Sequence, residues 1–139
     1  MKKLKTITAF IAFSLFSVAA NASFSTQQSV VIQIDQSIAN IDSAVSCSII
    51  YSHTPLASEA DFYKGMVYEN YSNLVEQLVL TGQTEQQARQ IAMEKVVSQA
   101  THMETLIKEQ KADGNKAQFT QLLKTTAVQN QCVHYASNN

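Results

Sequence analysis

Residues Gly82–Asn115 read GQTEQQARQIAMEKVVSQATHMETLIKEQKADGN. Within them Ala88, Ile91, Ala92, Val96, Met103, Leu106 and Ile107 recur at three- to four-residue steps, which is the period of a helix with one apolar face. Thr84-x-x-Gln87 at the front is a capping box, in which a hydroxyl accepts from the first free backbone donors and the Gln side chain reaches back. Gly114 supplies a left-handed stop at the far end. The stretch predicts a helix from Glu85 to Ala112.

The same signals extend to both sides. Gly82 closes a preceding helix whose start is expected at Ser58, with Glu59 and Asp61 at its positive end and Phe62, Met66, Leu74 and Leu78 on one face. Asn115-x-x-Gln118 opens a following helix carrying Phe119, Leu122, Leu123 and Val133 to about His134. Upstream, Val30, Ile34, Ile38, Ile41, Val45 and Ile49 form a stripe from Thr26 to Ile50; the β-branched run Val30–Ile32 favours a strand locally, but the continued period favours a helix. Helices of roughly 25, 23, 28 and 19 residues with short connections predict an all-α, four-helix bundle-like single domain. Three Gly, one Pro and no Trp in 139 residues argue against the turn-rich sandwiches and barrels.

The N-terminus carries an export address. Met1-Lys2-Lys3-Leu4-Lys5 is a basic n-region, Ile7–Ala19 an apolar stretch, and Ala20-Asn21-Ala22 a small-residue cleavage box. The reading is a signal peptide over 1–22 and a helical domain over 23–139. The apolar stretch is shorter than the roughly 20 residues that span a bilayer, so no membrane attachment is expected after cleavage. Ser23, not a Cys, directly follows the cleavage box, so lipid attachment has no acceptor there, which leaves soluble export to the periplasm. Loss of Lys2, Lys3 and Lys5 leaves 7 basic against 11 acidic side chains, a formal charge of −4. A nucleic-acid ligand is disfavoured by that sign, whereas a basic protein partner is favoured.

Cys47 and Cys132 constrain the topology. In an oxidising compartment a single pair is most simply one intrachain disulfide, with an intermolecular bond as the alternative. A plain up-down-up-down bundle places the ends of the first and fourth helices on opposite sides, while bridged Cα atoms lie within about 7 Å. The conflict is met here by a crossover at Tyr51–Ala57, containing His53-Thr54-Pro55, that returns the chain and leaves the first helix roughly parallel to the second and fourth.

Chemistry is sparse. Cys47, His53, Cys132 and His134 form a Cys2His2 set, but their spacing does not match paired zinc ligands and thiolates compete with oxidation, so no metal or other cofactor is expected. His102 and Glu104 flank Met103 on diverging helical positions. No haem-attachment, zinc-protease or nucleophile-elbow motif occurs, and Glu59 and Asp61 are explained by the helix end, so the protein reads as a non-enzyme. What stands out is polarity without charge, in 15 Gln spread over the mature chain, and the aromatic group Phe62, Tyr63, Tyr68 and Tyr71. Carboxamides both donate and accept without the desolvation penalty of a charge, and Tyr is enriched at interfaces. Phe62 itself is expected in the core.

With its Ala20-Asn21-Ala22 leader, Gln-rich helical domain and Cys47/Cys132 pair, the chain resembles the small periplasmic immunity proteins that neutralise cell-wall-degrading effectors of type VI secretion. That resemblance implies a toxin inhibitor that occludes the catalytic cleft of a peptidoglycan hydrolase, often as a homodimer. The candidate toxin-binding residues, chosen from the loop and the following helix start, are His53, Glu59, Asp61 and Tyr63. A second reading is a helical periplasmic stress chaperone or adaptor: Leu80-Thr81-Gly82-Gln83-Thr84 is similar to the Leu-Thr-x-x-Gln repeats of such proteins, with Thr84 in place of the Gln.

Overall fold

The computed structural model describes the backbone from Ile7 to Cys132 and the side chains from Thr26 onward, Ala57 excepted. The expected leader at 1–22 and His134 lie outside the residues whose side chains are described. Among the described residues there are four helices and no strand: α1 (Ile7–Ser52), α2 (Ala57–Leu80), α3 (Glu85–Ala112) and α4 (Lys116–Gln129). The chain is an all-α, bundle-like domain.

Boundaries follow cap chemistry where it exists. At α3 the Thr84 side chain accepts from the Gln87 backbone at 3.2 Å while the Gln87 carboxamide accepts from the Thr84 backbone at 3.0 Å, so the reciprocal box is complete. The Asn115 side chain accepts from Ala117 and Gln118 backbone N–H groups, both at 3.1 Å, and sets the start of α4. Gly82 (φ 96°) and Gly114 (φ 69°) take the left-handed turns that end α2 and α3, a region costly for residues with a Cβ. Ser58, by contrast, caps nothing: the N-cap of α2 is Leu56, without a side-chain bond. Thr54 organises the approach instead, its hydroxyl donating to the Tyr51 carbonyl at 2.9 Å and accepting from the Leu56 N–H at 3.2 Å.

The segment between α1 and α2 is a tight turn and not a crossover. The Tyr51 and Tyr63 rings stack at 5.6 Å, and Ile41 further back on α1 packs with Leu74 and Val75 further along α2, so the two helices are antiparallel neighbours. On α3, Ala88 and Ala92 meet Ile41, whereas Met103 and Ile107 meet Ile50 and Tyr51; α3 therefore runs parallel to α1. Helix α4 begins beyond the end of α1, with Phe119 edge-on to His53, and comes back along the bundle to Cys47.

The cysteine conflict dissolves through lengths and starting points. Helix α4 has 14 residues, about 21 Å, and ends at Gln129 instead of continuing to His134. Cys47 lies before the end of α1, and a turn through Gln131 (φ 56°) delivers Cys132 to it. The intrachain disulfide has Cα atoms 5.5 Å apart and closes a sequence separation of 85.

Two apolar clusters fill the interior. One joins Cys47, Ile50, Tyr51 and Tyr63 to Met103, Ile107, Leu123 and Ala127; the other joins Ile41, Val45 and Leu74 to the small Ala88 and Ala92, where α3 approaches closely. Full burial of Ile41 or Leu74 stabilises the fold by about 1.5–3 kcal/mol each. A polar seam crosses α1 and α3: the Gln99 carboxamide donates to the buried Ser46 hydroxyl at 2.9 Å, and that hydroxyl donates to the Asp42 carbonyl at 2.7 Å. Partial burial pushes the Asp42 carboxyl above its ordinary pKa, with Lys95 pulling the other way.

Candidate functional site

Below the end of α4, a groove of about 460 Å³ opens between α1 and α2. Asn40, Ser43 and Ala44 share one face of α1, and Phe62, Met66, Glu69 and Asn70 share one face of α2, because residues three, four and seven apart stack along a helix. Asn130 and Gln131, just past α4, form the third wall. Their neighbour Cys132 is bonded to Cys47, so the disulfide fixes this wall against α1.

Carboxamides dominate the polar lining. Asn70 donates its Nδ2 to the Met66 carbonyl at 2.8 Å, and Asn130 donates its Nδ2 to the Thr126 carbonyl at 2.9 Å. One N–H of each carboxamide is thus spent on a backbone carbonyl, leaving the amide oxygen as an acceptor and the second N–H as a donor. Glu69 is the charged residue of the lining. The two ion pairs among the described residues, Asp61–Lys64 and Glu85–Arg89, do not engage it. Phe62 stands at the rim with 60% of its surface exposed, its ring edge-on to Tyr63 at 5.3 Å.

The residues anticipated from sequence separate. Tyr63 is 4% exposed and stacked on Tyr51, so it forms part of the core and of the floor of the groove, while Phe62 takes the exposed position. Asp61 is exposed and pairs with Lys64 at 2.9 Å, a surface pair of small energetic weight. Glu59 is half-buried in the first turn of α2, with its backbone N–H on the Leu56 carbonyl. His53 faces away from the groove, toward the α3–α4 connection. Lys111 Nζ lies 3.0 Å from His53 Nδ1 and 5.5 Å from the Phe119 ring centroid, tying the two turns together. Burial first, then the Lys111 ammonium, hold the His53 pKa below its ordinary value, against the raising influence of Glu104. Cys47 and Cys132 are bonded to each other, and among the described residues no group of three His, Cys, Asp or Glu side chains is placed to hold a metal ion.

Sequence reading missed Asn40, Asn70, Asn130 and Gln131, which come together from three distant segments. The one advance signal was the abundance of uncharged amides. No helix among the described residues is long and apolar enough to cross a membrane. No protein-family model, curated protein or solved structure matches the chain.

Proposed function

We propose that this protein is exported to the periplasm and acts there as an immunity protein, binding a cell-wall-degrading toxin and occluding its active site without performing chemistry itself. The observation that carries the reading is the amide-lined groove beside the disulfide, with Phe62 exposed at its rim. Exposed aromatic rings beside hydrogen-bonding side chains are the composition of protein-binding surfaces, where the ring supplies desolvated area and the amides satisfy a partner's polar groups. The intrachain disulfide accords with an oxidising compartment.

The test is inhibition. The oxidised protein is titrated into a peptidoglycan-hydrolysis assay of the adjacent gene's product, expected to be a secreted effector; loss of lysis at one equivalent supports the reading. Undiminished lysis, together with suppressed aggregation of unrelated unfolded clients, would replace it with the chaperone alternative.

A further inference from the structure

The groove has an uneven chemistry. Glu69 brings a carboxylate with no ion-pair partner among the described residues. Asn70 and Asn130 offer carbonyl oxygens, each having spent one N–H of its NH2 group on a backbone carbonyl one turn back. The lining supplies no cation. The lining therefore carries a net negative charge and exposed acceptors, so a complementary guest carries positive charge and hydrogen-bond donors. Phe62 at the rim adds an exposed ring face, on which a cation or an alkyl stem can lie.

Among protein side chains these demands converge on arginine. Its planar guanidinium presents five donors in a fixed fork, matches a carboxylate bidentately, stacks on aromatic rings and is less strongly hydrated than an ammonium. A groove of about 460 Å³ has room for one such side chain with adjoining backbone. The mature chain's excess of acidic over basic residues favours approach of a basic surface. We infer that the groove receives an arginine side chain presented on a loop of the partner protein, with Glu69 as its ion-pair acceptor, Asn70 and Asn130 as flanking acceptors, and Phe62 as its stacking face. This deepens the inhibitor reading above and rests on it for the identity of the partner as a protein.

The inference is tested with the oxidised protein by NMR titration of two blocked tripeptides, Gly-Arg-Gly and its uncharged isostere Gly-citrulline-Gly, at concentrations of tens of millimolar. The arginine peptide should shift the Met66 methyl and the Asn70 and Asn130 carboxamide signals. The citrulline peptide should bind at least about tenfold more weakly, the usual margin of a charge-assisted hydrogen bond over a neutral one. Glu69→Gln, at an exposed position and so without effect on folding, should abolish the difference between the peptides. Absence of groove shifts with the arginine peptide, equal response to citrulline, or unchanged discrimination in Glu69→Gln overturns the inference. Failures of the two readings are distinguishable: an effector inhibited equally by wild type and Glu69→Gln removes the arginine site alone, whereas arginine binding without inhibition of any effector removes the immunity reading alone.

Discussion

Opening the Cys47–Cys132 bond is expected to remove a large share of the folding stability. The bond closes 85 residues of chain, and loop-closure entropy alone gives about 4.5 kcal/mol at 25 °C. Domains of this size are typically stable by about 5–15 kcal/mol, so the reduced protein loses between about a third and nine-tenths of its stability. The two sulfurs are nearly inaccessible, with Cys47 1% and Cys132 7% exposed, so the double replacement Cys47→Ala/Cys132→Ala keeps an apolar site and adds little penalty beyond the lost closure. Helix α4 should suffer first. It buries only Leu123 and Ala127 fully, and its end is held to α1 by the bond. The assay is urea unfolding followed by far-UV circular dichroism, comparing oxidised wild type with the double variant. With a denaturant dependence of about 1.5 kcal/mol per molar, the midpoint should fall by about 3 M. A fall of less than about 0.5 M would refute the claim that this staple governs the stability of the fold.

Other consequences follow from individual residues. Tyr63→Ala removes a buried, stacked ring and should destabilise by about 3–5 kcal/mol, whereas Phe62→Ala next to it should change stability by no more than about 0.5 kcal/mol; equal effects in urea unfolding would contradict the assigned faces of α2. Thr84→Ala deletes the capping box of α3 and should lower stability by about 1 kcal/mol and the melting temperature by about 4 °C in a thermal scan. Because the folded state holds His53 below its ordinary pKa, the unfolded chain binds more protons through this group, and its contribution to stability is present above about pH 6.5 and lost as the pH falls through the lowered value. His53→Asn should therefore flatten the acid side of a stability-against-pH curve, and an unchanged slope would show that the Lys111 contact is not felt. For Asp42 the sign is reversed: a raised pKa makes the ionised form a liability at neutral pH, so Asp42→Asn should stabilise there, with the gain vanishing below about pH 3.8.

Local signals made much of this fold readable. Thr84 with Gln87, Gly82, Gly114 and Asn115 act within one turn of themselves, and the limits of α3 and the start of α4 follow from them. The start of α2 was less legible because Thr54, not Ser58, organises it through a turn preceding the helix. At Phe62 and Tyr63 the period was right and the phase was wrong by one residue, which on a helix is about 100° and exchanges core for surface. The expected crossover follows from carrying the fourth helix to His134, with Cys132 near its end; with α4 ending at Gln129 and Cys47 five residues before the end of α1, a simple antiparallel turn suffices. The groove could not be read at all, since Asn40, Asn70 and Asn130 meet only through packing of α1 and α2 and the placement of the turn after α4.

The most direct measurement of the proposal is calorimetric titration of the oxidised protein into the product of an adjacent gene, expected to be a secreted cell-wall hydrolase, with lytic activity recorded on the same samples. The account predicts saturation at one equivalent, lysis abolished in proportion to the complex formed, and weakened binding for Phe62→Ala and Glu69→Gln but not for Tyr68→Ala, whose exposed ring lies outside the groove lining. Binding absent, or present while lysis continues at saturation, would contradict it.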